Sequence, residues 1–199
     1  MATRTLYAVR HGLADPLGQL TDQGREQCHH LGRRLANQPI DVVWHSPLSR
    51  ARDSAAVIAE HLEVPLVDEA GELIDHVPHV PTREQVSGSS WEGFFDGYDA
   101  GEARAGRQLA DQLTARFATP PAPGARSTHE VLVTHAYPIA WLVRDALGAP
   151  PQSWLSLTWM ANTGVTVIEH TRGEPPAVHM VNDQSHLPAE FTWPGVSRE

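Results

Sequence analysis

The chain has one cysteine in 199 residues, Cys28. No internal disulfide can form, which predicts a reducing, cytoplasmic setting. Cys28 falls on an expected helix face and reads as core, not as a nucleophile. Long apolar runs are missing too: no stretch approaches the ~18 residues of a membrane span, and the first twenty residues lack a signal-peptide pattern. Positive charge is scarce. Fifteen basic against 24 acidic side chains give a formal net charge of -9, which argues against nucleic acid or an anionic membrane as partner. An anionic ligand needs a local pocket of positive charge strong enough to outweigh that field. The composition is silent on oligomeric state.

What is present begins with Leu6-Tyr7-Ala8-Val9-Arg10-His11-Gly12. A short apolar run bounded by a turn residue reads as a buried parallel strand. Ligands of open α/β sheets bind beyond the carboxyl ends of such strands, where Arg10 and His11 fall. Val131-Leu132-Val133-Thr134-His135-Ala136 repeats the design, and Val42-Val43-Trp44 delivers His45 and Ser46 to the same edge. One strand-end histidine means little. Two, one of them preceded by arginine, point to a site, because a charge at a buried strand end needs a partner.

Between these strands the pattern turns helical. Thr21 is a good N-cap, and Cys28, Leu31, Leu35 and Ala36 recur at helical spacing, predicting a helix over 22–37. Ser46-Pro47 reads as a helix start, Ser as cap and Pro at the first position, running to about Leu62 with Arg50 and Arg52 in its first turns. Arg52 reads as solvated or structural. A short strand is expected at Val64–Val67. Residues 68–99 are different in kind, with prolines at 78 and 81 and a loop carrying Trp91, Phe94 and Phe95. They form a lid-like insert, whose aromatics either wall a ligand pocket or pin the segment. A helix over 100–117 follows, then a proline-rich linker, a helix from Pro138 to Leu147, and strands at 155–159, 165–169 and 178–181, the last two joined by a hairpin. The alternation predicts a single α/β domain over 1–199, with three α/β/α layers, a mostly parallel central sheet and helices on both faces.

Histidine, arginine, arginine and histidine without metal spacing suggest phosphoryl chemistry. Arginine presents a planar fork of donors to a phosphate dianion, and a neutral imidazole can attack phosphorus and carry the phosphoryl group. The departing oxygen needs a proton, hence a carboxylic acid close by. His76 and His79, three apart, lie in a proline loop with no carboxylate or cysteine at metal spacing, and no metal or cofactor is called for. His29 and His30 read as ordinary helix-face residues, and His45 as either pocket lining or packing.

Arg10-His11-Gly12, the Leu20-Thr21-x-x-Gly24 helix start, Ser46-Pro47-Leu48-x-Arg50-Ala51 and Thr134-His135-Ala136 together resemble the histidine phosphatase, or phosphoglycerate mutase-like, superfamily. The resemblance spans nearly the whole chain in order and implies that family's α/β fold. It implies His11 as the nucleophile that becomes phosphohistidine. Arg10, Arg50 and His135 then form the phosphate pocket, with the backbone amide of Ala136 as a further donor. The segment Asp68-Glu69-Ala70-Gly71-Glu72 is similar to the acid-bearing segment of the family's mitochondrial Ser/Thr phosphatase branch. That similarity implies Glu72 as general acid and then base, with Asp75 and Glu92 as fallback acids. The implied activity is phosphomonoester hydrolysis on a phosphorylated small molecule or phosphoprotein. A mutase and a weakly catalytic phospho-ligand-binding domain are the alternatives. The chain departs from the pattern at Ala14, where the family often has threonine, at Pro16-Leu17-Gly18, where asparagine is usual nearby, and at Ala136, where glycine is common. A lost hydroxyl donor costs roughly 1 kcal/mol net.

Overall fold

The computed structural model describes residues 1–64 and 67–192. Six strands form one sheet in the order β3-β2-β4-β1-β5-β6: β1 (Thr3–Arg10), β2 (Val42–His45), β3 (Val67–Glu69), β4 (Thr128–Thr134), β5 (Val165–Thr171) and β6 (Ala177–Asp183). The first four run parallel, while β5 pairs antiparallel with β1 and β6 antiparallel with β5. The mostly parallel sheet is therefore observed, with an antiparallel margin on one side.

Strand side chains alternate between faces, and β1 uses both. Leu6 and Ala8 join Leu132, Leu113, Phe117, Ile139 and Trp141 beneath α4 (Ala100–Phe117) and α5 (Ala136–Ala146). Tyr7 and Val9 join Val43, Val131, Val133, Leu31 and Ile58 beneath α1 (Asp22–Leu35) and α2 (Ser49–Ala59). Helices thus cover both faces. Thr21 caps α1 as expected, its hydroxyl accepting from the Gly24 amide.

Three local expectations need correction. The helix expected from Ser46-Pro47 starts at Ser49, and its N-cap, Leu48, makes no side-chain cap bond. The sheet has claimed Ser46, whose amide donates to the Val133 carbonyl at 3.0 Å. The strand expected at 155–159 is a 3₁₀ helix, Pro151–Leu157, in which Trp154 is fully buried and its indole N–H donates to the His79 carbonyl at 2.9 Å. Burying one large ring outweighed the alternating pattern. The strand expected at Val64–Val67 is displaced to Val67–Glu69, and Pro65 and Leu66 lie outside the described residues. The 68–99 segment holds a 3₁₀ turn (Gly71–Leu73), the four-residue α3 (Arg83–Val86) and a series of turns.

The ladder positions the site. Arg10 pairs with Thr134 across β1 and β4, and the His11 amide extends the ladder to the Thr134 carbonyl at 3.0 Å. His11, His135 and Ser46 therefore emerge abreast at the ends of adjacent parallel strands. Behind them α1 packs tightly on the loop after β1. A Cβ on Gly24 would stand 2.1 Å from the Leu13 carbonyl oxygen, and one on Gly12 would stand 2.5 Å from the Gly24 carbonyl oxygen. Gly24→Ala should destabilise the fold by about 1–3 kcal/mol through overpacking. A urea midpoint unchanged from the parent protein would show that the loop can move aside.

Candidate active site

At the carboxyl end of the sheet, Arg10, His11, Asp75, His135 and Ala136 line a cavity of about 500 Å³ together with Leu13, Tyr137, Thr158, Trp159, Met160 and Asn162. A second opening, beside Ala14 and Asp15, exposes Arg10, His11 and Asp75 again, and Arg50 as well. His11 is only 6% exposed. Its Nδ1–H donates to the Gly12 carbonyl at 2.7 Å, which leaves Nε2 with its lone pair. Arg50 Nε donates to that Nε2 at 3.0 Å. Arg50 Nη2 lies 3.3 Å from His135 Nδ1 and 3.4 Å from Asp75 Oδ2. The two imidazole rings meet edge to face, 5.1 Å between centroids.

Each side chain is braced. Arg10 Nη1 donates to the Met160 carbonyl at 2.6 Å. Asn162 Nδ2 donates to the His11 carbonyl at 2.9 Å, and the Thr163 amide to the Arg10 carbonyl at 2.9 Å. Thr163 holds φ +55°, a left-handed conformation rare for a β-branched residue, and is fully buried. The Ser54 hydroxyl, on α2, accepts from the Gly12 amide at 3.0 Å and donates to the Arg50 carbonyl at 2.6 Å. It ties the histidine's loop to the arginine's helix. Ala136 opens α5, whose first amides have no partner within the helix and suit an anion.

Burial, with the charges of Arg10 and Arg50 adding to it, pushes the His11 pKa down to about 4 against the opposing pull of the Gly12 carbonyl. Burial also lowers His135 well below the ordinary histidine range, helped by His11, Arg50 and Arg10. Both rings are neutral at pH 7. Asp75 goes the other way. Its side chain keeps 41% of its surface open, yet the dehydration that the pocket imposes outweighs Arg50 and Arg10 and raises its pKa.

Of the residues expected at the site, Arg10, His11, Arg50, His135 and Ala136 come together. Glu72 does not. Its Oε1 is held by Arg116 Nη1 of α4 at 2.7 Å, and it lines neither opening around His11. It lies three positions before Asp75, and the 3₁₀ turn aims it at α4 instead. Glu92 accepts from the Gly88 amide and lines a separate cavity with Val86, Phe95 and Tyr98. Ala14 borders the second opening and supplies no hydroxyl. Trp91, Phe94 and Phe95 stack on one another, and Trp91 and Phe95 also contact Trp154. They pin their segment and leave the pocket wall to Tyr137. His45 donates to the Ser46 carbonyl and is packing, Arg52 pairs with Asp53, and His29 meets His61 at 3.0 Å. Among the described residues no group of three His, Cys, Asp or Glu is arranged to hold a metal.

The model of the histidine phosphatase superfamily (branch 1) matches residues 6–184. The chain belongs to that superfamily. Among curated relatives of this histidine phosphatase domain, the mitochondrial serine/threonine-protein phosphatase Pgam5 of Caenorhabditis briggsae is 29% identical over 191 residues, covering 94% of this chain and 65% of the relative. The Homo sapiens protein of the same name is 26% identical over 200 residues, covering 95% of this chain and 65% of the relative. The chain thus spans just under two thirds of the length of each. A putative α-ribazole-5′-P phosphatase of Escherichia coli superposes with a TM-score of 0.69 at 18% identity, over 91% of this chain and 98% of that one, which shows a shared fold.

The cytoplasmic expectation is overturned by these relatives, which are named mitochondrial. A lone buried cysteine excludes only an internal disulfide and does not distinguish two reducing compartments. No helix among the described residues is long and apolar enough to cross a membrane. Sequence reasoning missed Ser46 as a site residue, along with Ser54 and Met160. Ser46 was legible as a helix cap and as a residue at the ligand edge, with nothing to mark its hydroxyl for His135, and a main-chain carbonyl such as that of Met160 leaves no mark in a sequence.

The depressed His11 pKa has a definite consequence for pH. Between about pH 6.5, the ordinary histidine value, and about pH 4 the unfolded chain protonates this side chain while the native protein does not. The His11 contribution to stability is complete above pH 6.5 and is lost as pH falls towards 4. NMR titration of the His11 ring should give a midpoint near 4, raised by added inorganic phosphate. A midpoint near 6.5 in the free protein would remove the electrostatic account of the pocket.

Proposed function

We propose that this histidine phosphatase hydrolyses phosphomonoesters through a phosphohistidine on His11. The observation that carries the reading is the His11 Nδ1–H bond to the Gly12 carbonyl, which leaves an unprotonated Nε2 that accepts from the Arg50 guanidinium, with the Arg10 charge also acting on the ring. An entering phosphate takes over the Arg50 hydrogen bonds now spent on His11 and Asp75. Its oxygens meet Arg10, Arg50, His135 and the first amide of α5, and this preorganised charge does the work that a metal ion does in other phosphatases.

His11 Nε2 attacks phosphorus as the bond to the ester oxygen breaks, and the departing oxygen takes a proton from a carboxylic acid. Water then attacks the phosphohistidine and loses a proton to the same carboxylate, the P–N bond breaks and His11 regains its lone pair. Asp75 is the acid in this reading, in place of Glu72. It borders both openings around His11 and its pKa is raised, which favours a proton donor.

The substrate is a phosphorylated small molecule or a phosphoprotein, the latter in keeping with the names of the relatives. Hydrolysis is favoured over mutase action by the lining itself. Arg10 and Arg50 are its only guanidinium groups among the described residues, and both serve the phosphate. A second anionic group, such as the carboxylate of a phosphoglycerate, finds no cation of its own.

His11→Ala should give neither turnover of p-nitrophenyl phosphate nor an acid-labile phosphoenzyme on rapid quench. Residual phosphoenzyme in that variant would sink the covalent mechanism. Loss of a general acid costs typically ~10²–10⁴-fold, least for good leaving groups. Asp75→Asn should therefore slow an alkyl phosphate far more than p-nitrophenyl phosphate, while Glu72→Gln leaves both close to the parent rate. The opposite pattern would return the acid role to Glu72.

A further inference from the structure

We propose that Ser46 is a positioning residue that fixes His135 as the Nδ1–H tautomer, so that a neutral imidazole serves the phosphate pocket as a hydrogen-bond donor. The inference rests on the phosphoryl-transfer reading for its kinetic consequence, but the tautomer itself is a property of the resting protein.

Ser46 and His135 are buried, at 0% and 1% exposure. The Ser46 hydroxyl lies 2.9 Å from His135 Nε2 and also accepts from the Leu48 amide at 3.3 Å. A buried hydroxyl proton needs an acceptor. Among the described residues the Ser46 hydroxyl meets His135 Nε2 besides the Leu48 donor. The hydroxyl therefore donates to Nε2, that nitrogen carries no proton, and in a neutral ring the proton sits on Nδ1.

Nδ1 faces the pocket. Arg50 Nη2 stands 3.3 Å away, at the long end of hydrogen-bond reach, and Asp75 Oδ2 lies 4.0 Å from Nδ1 and 3.4 Å from Nη2. With the proton on Nδ1, the Arg50 and His135 hydrogens could converge on one anionic oxygen brought between them. In the resting protein Asp75 approaches that place, and a phosphoryl oxygen would fill it in turn. In the opposite tautomer Nδ1 would spend its lone pair on Arg50, turn no donor to the substrate and leave the Ser46 proton without an acceptor. Burial beside His11, Arg50 and Arg10 keeps the ring neutral, so its donor capacity depends on which nitrogen holds the proton.

Selective ¹⁵N labelling of the histidine rings tests this directly. In the free parent protein at pH 7, His135 should show a protonated Nδ1 and an unprotonated Nε2, and Ser46→Ala should shift it towards the other tautomer. Ser46→Ala should also lower kcat for p-nitrophenyl phosphate roughly 10–100-fold, the range for groups that orient a functional histidine, with little change in KM. A protonated Nε2 in the parent protein overturns the proposal. So does a Ser46→Ala protein whose tautomer and kcat both match the parent. Should Ser46→Ala fail to fold, the parent spectrum still decides the tautomer. Because that spectrum needs no substrate, it stands apart from the fate of the His11 mechanism.

Discussion

The parallel register between β1 and β4 is the constraint on which the rest depends. Pairing Arg10 with Thr134 brings two strands to an end at the same level, and the next residue on each is a histidine. A slip of one residue would turn each strand's side chains to the opposite face. Leu6 and Ala8 would then leave the α4–α5 side, Tyr7 and Val9 the α1–α2 side, and the two imidazoles would no longer meet. The two cores thus lock the register, and the register places the chemistry. Stability and function share one set of contacts.

The same economy governs the electrostatics. A chain of net charge -9 concentrates two guanidinium groups and two neutral histidines within a few ångströms at the sheet edge. Burial keeps the histidines unprotonated, and that in turn lets two arginines stand beside them without a third and fourth positive charge. Asp75 supplies the compensating negative charge in the resting protein and carries a raised pKa for the same reason, loss of water. The braces behind these groups are neutral: Ser46, Ser54, Asn162 and the Met160 carbonyl. They orient the charges without cancelling them.

Much of this was legible from sequence. The apolar runs ending in Arg10-His11 and His135 marked buried strands and the ligand edge, the helical spacing of Cys28, Leu31 and Leu35 marked α1, and the four spaced motifs pointed to the superfamily. Glu72 was expected at the pocket from its segment's similarity to an acid-bearing one, and a linear stretch without helical or strand periodicity does not locate its carboxylates in space. The 3₁₀ turn at Gly71–Leu73 then sent Glu72 to Arg116 and left Asp75 at the pocket. The expected strand at 155–159 failed because alternation over five residues is weaker than the burial of Trp154.

The sequence by itself determined which residues end the strands and which faces of those strands are apolar, because periodicity and strand termini are local properties. It also determined that the cations near the site would be arginines, since all fifteen basic residues of the chain are arginine. Only the tertiary structure decided which carboxylate meets the pocket, that Ser46 spends its hydroxyl on His135 and not on a helix cap, and that Ser54 joins α2 to the loop after β1. Those outcomes hinge on hydrogen bonds between residues 25 to 89 positions apart. Such a bond is satisfied only once both partners are buried together, and nothing in the local sequence records it.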